Sequence, residues 1–172
     1  MTGGKDVFGT PRNQNRASLW GGLALVSAVC LGAHASAAAA ESPFQSLAGS
    51  WAGSGTAQFQ GGKTESLRCK GYYTNSGQTN LGLSIRCANA SAKVELRANL
   101  VYANGAVSGS WEERTYNQSG SVTGKASNSK MNLSISGGIA GSMAVSIAGG
   151  RHSVVVSTSG PTLKSINISM SR

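Results

Sequence analysis

From Ser42 onward, apolar and polar side chains alternate along the chain with a period of two, the pattern of a strand with one buried face. The cleanest run covers 93–102. Val94, Leu96, Ala98, Leu100 and Tyr102 share one face there, and Lys93, Glu95, Arg97 and Asn99 share the other. Asn104-Gly105 follows, a pair suited to a tight hairpin turn because both residues tolerate positive φ. The next run, 106–116, turns Val107, Gly109 and Trp111 inward, and the same parity carries Glu113 inward with them. Upstream, 50–60 offers Trp51, Ala57 and Phe59 to a core, and 65–74 offers Leu67, Cys69 and Tyr73. Residues 81–88 align Leu81, Leu83, Ile85 and Cys87. Downstream the strands shorten to 120–126, 130–136, 142–148, 152–158 and 163–170. Their inward faces are made from Val122, from Met131, Leu133 and Ile135, from Met143, Val145 and Ile147, from Val154 and Val156, and from Ile166, Ile168 and Met170. No stretch after Ser42 spaces its apolar residues as an amphipathic helix does. The pattern predicts an all-β fold of about eight to ten strands on short connections. Short connections make neighbours antiparallel, so the expected topology is a meander, and closure into a barrel would hide its edges. A β-sandwich is the alternative.

One hairpin is specified more closely than the rest. Cys69 and Cys87 lie at equal distances on either side of Gln78, inside the turn Asn75-Ser76-Gly77-Gln78-Thr79. Residues equidistant from the turn of an antiparallel hairpin face each other, so the two thiols should meet across the strands. Both fall on the apolar parity, Cys69 with Leu67 and Cys87 with Ile85. A disulfide there should lie on the core side, and it should be structural rather than redox-active. The two cysteines lack the close-spaced Cys or His neighbours of a zinc site, so no metal is expected.

The first forty residues do not share the alternation. Lys5, Arg12 and Arg16 precede a short apolar run over 19–33, followed by Ala-x-Ala sites ending at Ala35, Ala38 or Ala40. A basic leader, an apolar run too short for a span of roughly 20 residues and small residues at the cleavage point make a secretory signal peptide over 1–40. Val29 before Cys30 is not the small residue of a lipoprotein signal. A single β-barrel domain is expected over 41–172, in the periplasm or secreted, with no membrane-spanning segment after cleavage. Export also makes a disulfide the default state of its two cysteines.

Charge adds a polarity along the chain. Residues 41–113 hold six bases and five acids, whereas Arg114, Lys125, Lys130, Arg151, Lys164 and Arg172 follow with no acid among them. This basic C-terminal half suits an anionic envelope component, either lipid or cell-wall polymer.

Two short echoes, Gly49-Ser50-Trp51 and Gly109-Ser110-Trp111, place a Trp as a strand begins or runs. The first resembles the Gly-x-Trp signature of the lipocalin and avidin-like (calycin) barrels. That resemblance implies a glycine allowing close approach at the closed end, and a tryptophan plugging that end beneath an arginine from the last strand. Gly49, Trp51 and Trp111 are then the candidate end-closing or ligand-end residues, with Arg151 and Arg172 both open as the covering base. The longer pattern, SPFQSLAGSWAGSGTAQFQGGKTESLRCKGYY with LGLSIRCANASAKVEL and GAVSGSWEERTYNQSGSVTGKAS, looks like a group of exported alphaproteobacterial proteins. It implies an envelope or secreted location and no particular chemistry.

The inventory for catalysis is thin. Residues 41–172 contain no Asp and one histidine, His152, read as a surface residue at a strand start. Glu112 and Glu113 are adjacent in a strand and so point to opposite faces, which rules out their flanking one scissile bond. No phosphate-cradling or dinucleotide loop is present. The expectation is a protein that is not an enzyme, has no cofactor and does not bind nucleic acid, with Tyr72, Tyr73, Tyr102 and Tyr116 packing across strands. Its expected task is to carry a small hydrophobic ligand inside the barrel. The alternative is an envelope-associated structural or interaction protein docking through its basic half.

Overall fold

A computed structural model describes residues 41–172, and the leader with its cleavage sites lies outside the described residues. One short helix, α1 (Phe44–Leu47), precedes ten strands. These are β1 (Gly49–Phe59), β2 (Thr64–Ser76), β3 (Asn80–Ala88), β4 (Lys93–Ala103), β5 (Ala106–Glu113), β6 (Gln118–Ser127), β7 (Lys130–Gly137), β8 (Gly141–Ala148), β9 (Arg151–Thr158) and β10 (Leu163–Ser171). Each strand pairs antiparallel with the next, and β10 pairs with β1, so the sheet is a closed barrel rather than a sandwich. α1 corrects the expectation of no helix after Ser42. Its four residues are too few for a periodic signal, and it forms because Phe44 and Leu47 are both buried against the barrel.

Period two governs the wall. Along β2 every second residue from Leu67 to Tyr73 is buried and every residue between is exposed. The hairpin register is the symmetric one, Cys69 opposite Cys87, with Gly77 taking φ of +67° in the turn, and the two sulfurs are bonded. Asn104 and Gly105 both have positive φ between β4 and β5. β5 stops at Glu113 rather than running on to Tyr116. The Glu113 carboxylate accepts the backbone N–H groups of Thr115 and Tyr116, which turns the chain away from the ladder.

The closure seam depends on small residues. A Cβ on Gly53 would stand 2.0 Å from the carbonyl oxygen of Ser169 on β10, so the two backbones can approach this closely only because nothing projects between them. Tyr73 and Tyr102 pack inside as expected, but Tyr72 projects from the outer wall and Tyr116, in the turn after β5, is exposed to solvent.

Candidate functional site

The two ends of the barrel differ, and the difference comes from what each strand places there. Odd-numbered strands start, and even-numbered strands finish, at the end covered by α1. Here Phe44 meets the Tyr102 ring edge-on at 6.1 Å, and the Trp51 indole N–H donates to the Leu47 carbonyl at 2.7 Å. The guanidinium of Arg172 lies 4.9 Å above the Trp51 ring and donates to the Ala48 carbonyl at 3.0 Å. Arg172 is therefore the base over the tryptophan, while Arg151 is exposed on the outer wall. Gly49 sits beneath it with φ of +122°, a conformation that disfavours a side chain.

His152 completes this plug and corrects the reading of it as a surface residue. It is 3% exposed, its ring meets Trp51 edge-on at 4.5 Å, and its Nε2 is 3.1 Å from the Tyr73 hydroxyl. That hydroxyl is also 3.7 Å from the Met170 sulfur. Both contacts are served if His152 Nε2–H donates to the Tyr73 oxygen while the hydroxyl donates to sulfur. The other ring nitrogen, Nδ1, is then a bare lone pair, and it has no partner among the described residues. Burial lowers the His152 pKa to about 4 and pushes the Tyr73 hydroxyl upward. The signal for a buried His152 was present in its parity, which is that of Val154 and Val156.

The opposite end is less uniformly buried. On β3, Leu81 is 2% exposed near the plug, while Leu83, Ile85 and Cys87 on the same inner face are only half-buried. β10 shows the same gradient, with Met170 buried and Ile168, Ile166 and Leu163 half-buried. Leu96, Ile135, Met143 and Phe59 continue this accessible apolar lining around the barrel. These side chains are partly buried and pack against the core, while Ala57, Leu67, Trp111 and Glu113 at the same end are buried. The disulfide belongs to the inner face of the wall, with Cys69 buried and Cys87 half-buried.

Trp111 does not join Trp51. It is the sixth residue of its strand rather than the third, so it lies toward the opposite end, where its indole N–H donates to the Ser136 carbonyl at 3.1 Å. Glu113 is further along the same inner face and 6% exposed. Burial works to raise its pKa, but backbone N–H groups of Tyr116, Thr115 and Glu95 outweigh it and hold the carboxyl below its usual range. The carboxylate is thus occupied in holding the chain rather than facing a ligand. Glu95 on the outer wall gathers Arg97 at 2.9 Å, Arg86 at 3.3 Å and Arg114 at 3.9 Å. Of the remaining predicted bases, Lys164 lies near the end opposite α1, and Lys125, Lys130 and Arg151 lie toward the plugged end. Two depressions lie on the outside of the barrel and at its rim. One of about 350 Å³ lies at the rim beside the Lys63–Glu65 pair and Asn89. The other, of about 330 Å³, lies on the outer wall of β7, β8 and β9. No group of three or more metal-ligating side chains is assembled among the described residues, and none of their helices is long and apolar enough to cross a membrane.

No protein-family model matches the chain, and no curated protein sequence matches it. Solved structures do. The crystal structure of Rv2717c from M. tuberculosis superposes with a TM-score of 0.62 at 15% identity, covering 76% of this chain and 96% of that one. The S-type phycobiliprotein lyase CPES from Guillardia theta superposes with a TM-score of 0.53 at 11% identity, covering 75% and 89%. At these identities the likeness is one of fold, that of a closed β-barrel. It also corrects the expectation of a non-enzyme. One barrel of this shape is a lyase, so a sparse set of nucleophiles and acids is no ground for excluding catalysis.

Proposed function

We propose that this chain is an exported barrel whose lumen, away from the plug, forms a cup that holds a small apolar molecule. The observation carrying this reading is the partial exposure of inner-face apolar side chains on β3 and β10 away from the plug. Leu81 and Met170 are sealed beside the plug, while Leu83, Ile85, Ile166 and Ile168 are apolar, inward and still accessible. Accessible apolar surface inside a rigid wall is stabilised by any apolar guest that displaces its water. Export is supported by the leader-like pattern of residues 1–40 and by the Cys69–Cys87 bond, since disulfides persist in oxidising compartments.

Two measurements test the reading. Native mass spectrometry of protein recovered from its own compartment should show the polypeptide with an added small molecule. An environment-sensitive lipophilic dye should brighten on binding, and Ile168→Lys, which places a charge on the inner wall, should abolish that response while Val155→Lys on the outer wall should not. A bare polypeptide together with no dye response overturns the proposal.

A further inference from the structure

The outer wall from β6 around to β10 carries no acidic residue, in contrast to the wall around Glu65, Glu95 and Glu112. Its centre is the depression of about 330 Å³ on β7, β8 and β9, lined by Asn132, Ser134, Ser142, Ala144, Val155 and Ser157. The strand register orders these side chains into rows. Ser134, Ser142 and Ser157 lie side by side across three strands, and Thr123 extends that row onto β6. Below it, Lys125, Asn132, Ala144 and Val155 form a second row, and Lys130, Ser146 and Ser153 form a third. Neighbours within a row are ~4.8 Å apart, and the rows are ~7 Å apart.

The chemistry of this grid is specific. An Ala144–Val155 strip is flanked on both sides by hydroxyls, each able to donate and accept. Lys125 and Lys130 stand at one end, exposed and with no acid partner among the described residues. A pyranose ring has the matching surface, a C–H face edged by hydroxyls that also donate and accept. The two free ammonium groups add a requirement for negative charge on the sugar. Val155 is the one large apolar side chain of the depression that points outward, which leaves too little apolar surface to enter a bilayer.

We infer that the outer face of β7, β8 and β9 is a second binding surface, distinct from the cup, that takes a negatively charged polysaccharide. The sugar ring lies on Ala144 and Val155, its hydroxyls exchange hydrogen bonds with Ser134, Ser142, Ser157 and Asn132, and Lys125 and Lys130 meet its anionic groups.

The test is an amide-resolved NMR titration of the folded domain with tetragalacturonate, a short uronic-acid chain. Shifts should concentrate at Ser134, Ser142, Ala144 and Val155, and the affinity should fall as salt is raised. The Lys125→Glu/Lys130→Glu pair should weaken binding by about tenfold or more, whereas Arg68→Glu/Lys70→Glu, the same charge change on β2 across the barrel, should weaken it less than about threefold. The inference is overturned if both pairs weaken binding alike, if the shifts fall elsewhere, or if neutral maltotetraose binds equally well. It is likewise overturned if phosphatidylglycerol vesicles hold the protein and the oligosaccharide does not. The lipophilic-dye response of the cup is independent of all these outcomes.

Discussion

Protonating His152 places a positive charge among Trp51, Tyr73 and Met170, where burial has already lowered its pKa to about 4. The unfolded chain accepts that proton near pH 6.5. Between those values the unfolded state binds more protons than the folded one, so stability falls as pH drops from 6.5 toward 4 and levels off below. The loss should be on the order of 3 kcal/mol. Urea unfolding across that range should show the slope, and His152→Gln should flatten it even where it lowers stability overall. Glu113 has the opposite sign of charge and a lowered pKa, so its contribution is complete above the usual carboxylate range and is lost at still lower pH. Glu113→Ala leaves three N–H donors without their acceptor and should cost about 2–3 kcal/mol, read as a shift in urea midpoint at neutral pH. The inward position of Glu113 was legible from parity. Its partners were not, because they come from the turn after β5 and from β4 across the ladder. His152 shows the converse failure, since parity placed it inside and only its polarity argued for the surface.

At the level of elements, alternation and turn chemistry carried most of the information. All ten strands are recoverable to within a few residues, and the Cys69–Cys87 register follows from the symmetry of one turn. What alternation cannot carry is a contact without period. α1 is four residues long, and Arg172 reaches Trp51 across 121 positions of chain, so neither leaves a repeating mark. The disulfide closes a loop of 18 residues, which in the chain-entropy account contributes about 3 kcal/mol. A Cys69→Ala/Cys87→Ala protein should lose roughly that amount in denaturant unfolding, and unchanged stability would contradict a structural role. Gly53→Val should do worse than its small volume suggests. Its Cβ would collide with backbone rather than with a movable side chain, so the β1–β10 seam should open and circular dichroism should report a loss of cooperative unfolding.

For the whole molecule, the proposed function assigns closure to the plug and ligand holding to the opposite half of the lumen. Leu47→Ala tests that division, because it removes the side chain beside the carbonyl that holds the Trp51 indole. Its fluorescence should shift to the red as water reaches the ring, while dye binding in the cup should persist. The cup and the outer grid were not equally visible in the sequence. The apolar lining follows from parity. The grid arises only once register sets Ser134, Ser142 and Ser157 side by side, and no one-dimensional pattern contains that row.

The seam between β1 and β10 also has a consequence for the order of assembly. Every other pairing in the barrel joins consecutive strands and can form as a local hairpin, whereas Ala52 and Ser171 meet across 119 positions of chain. The entropy of closing so long a loop is recovered only when the remaining strands already hold the ends near each other. The meander should therefore zip up first as an open ribbon, and the ring should shut last. Pulse-labelling hydrogen exchange during refolding should find the β2–β3 and β4–β5 amides protected early, and those shared by β1 and β10 protected in the final phase.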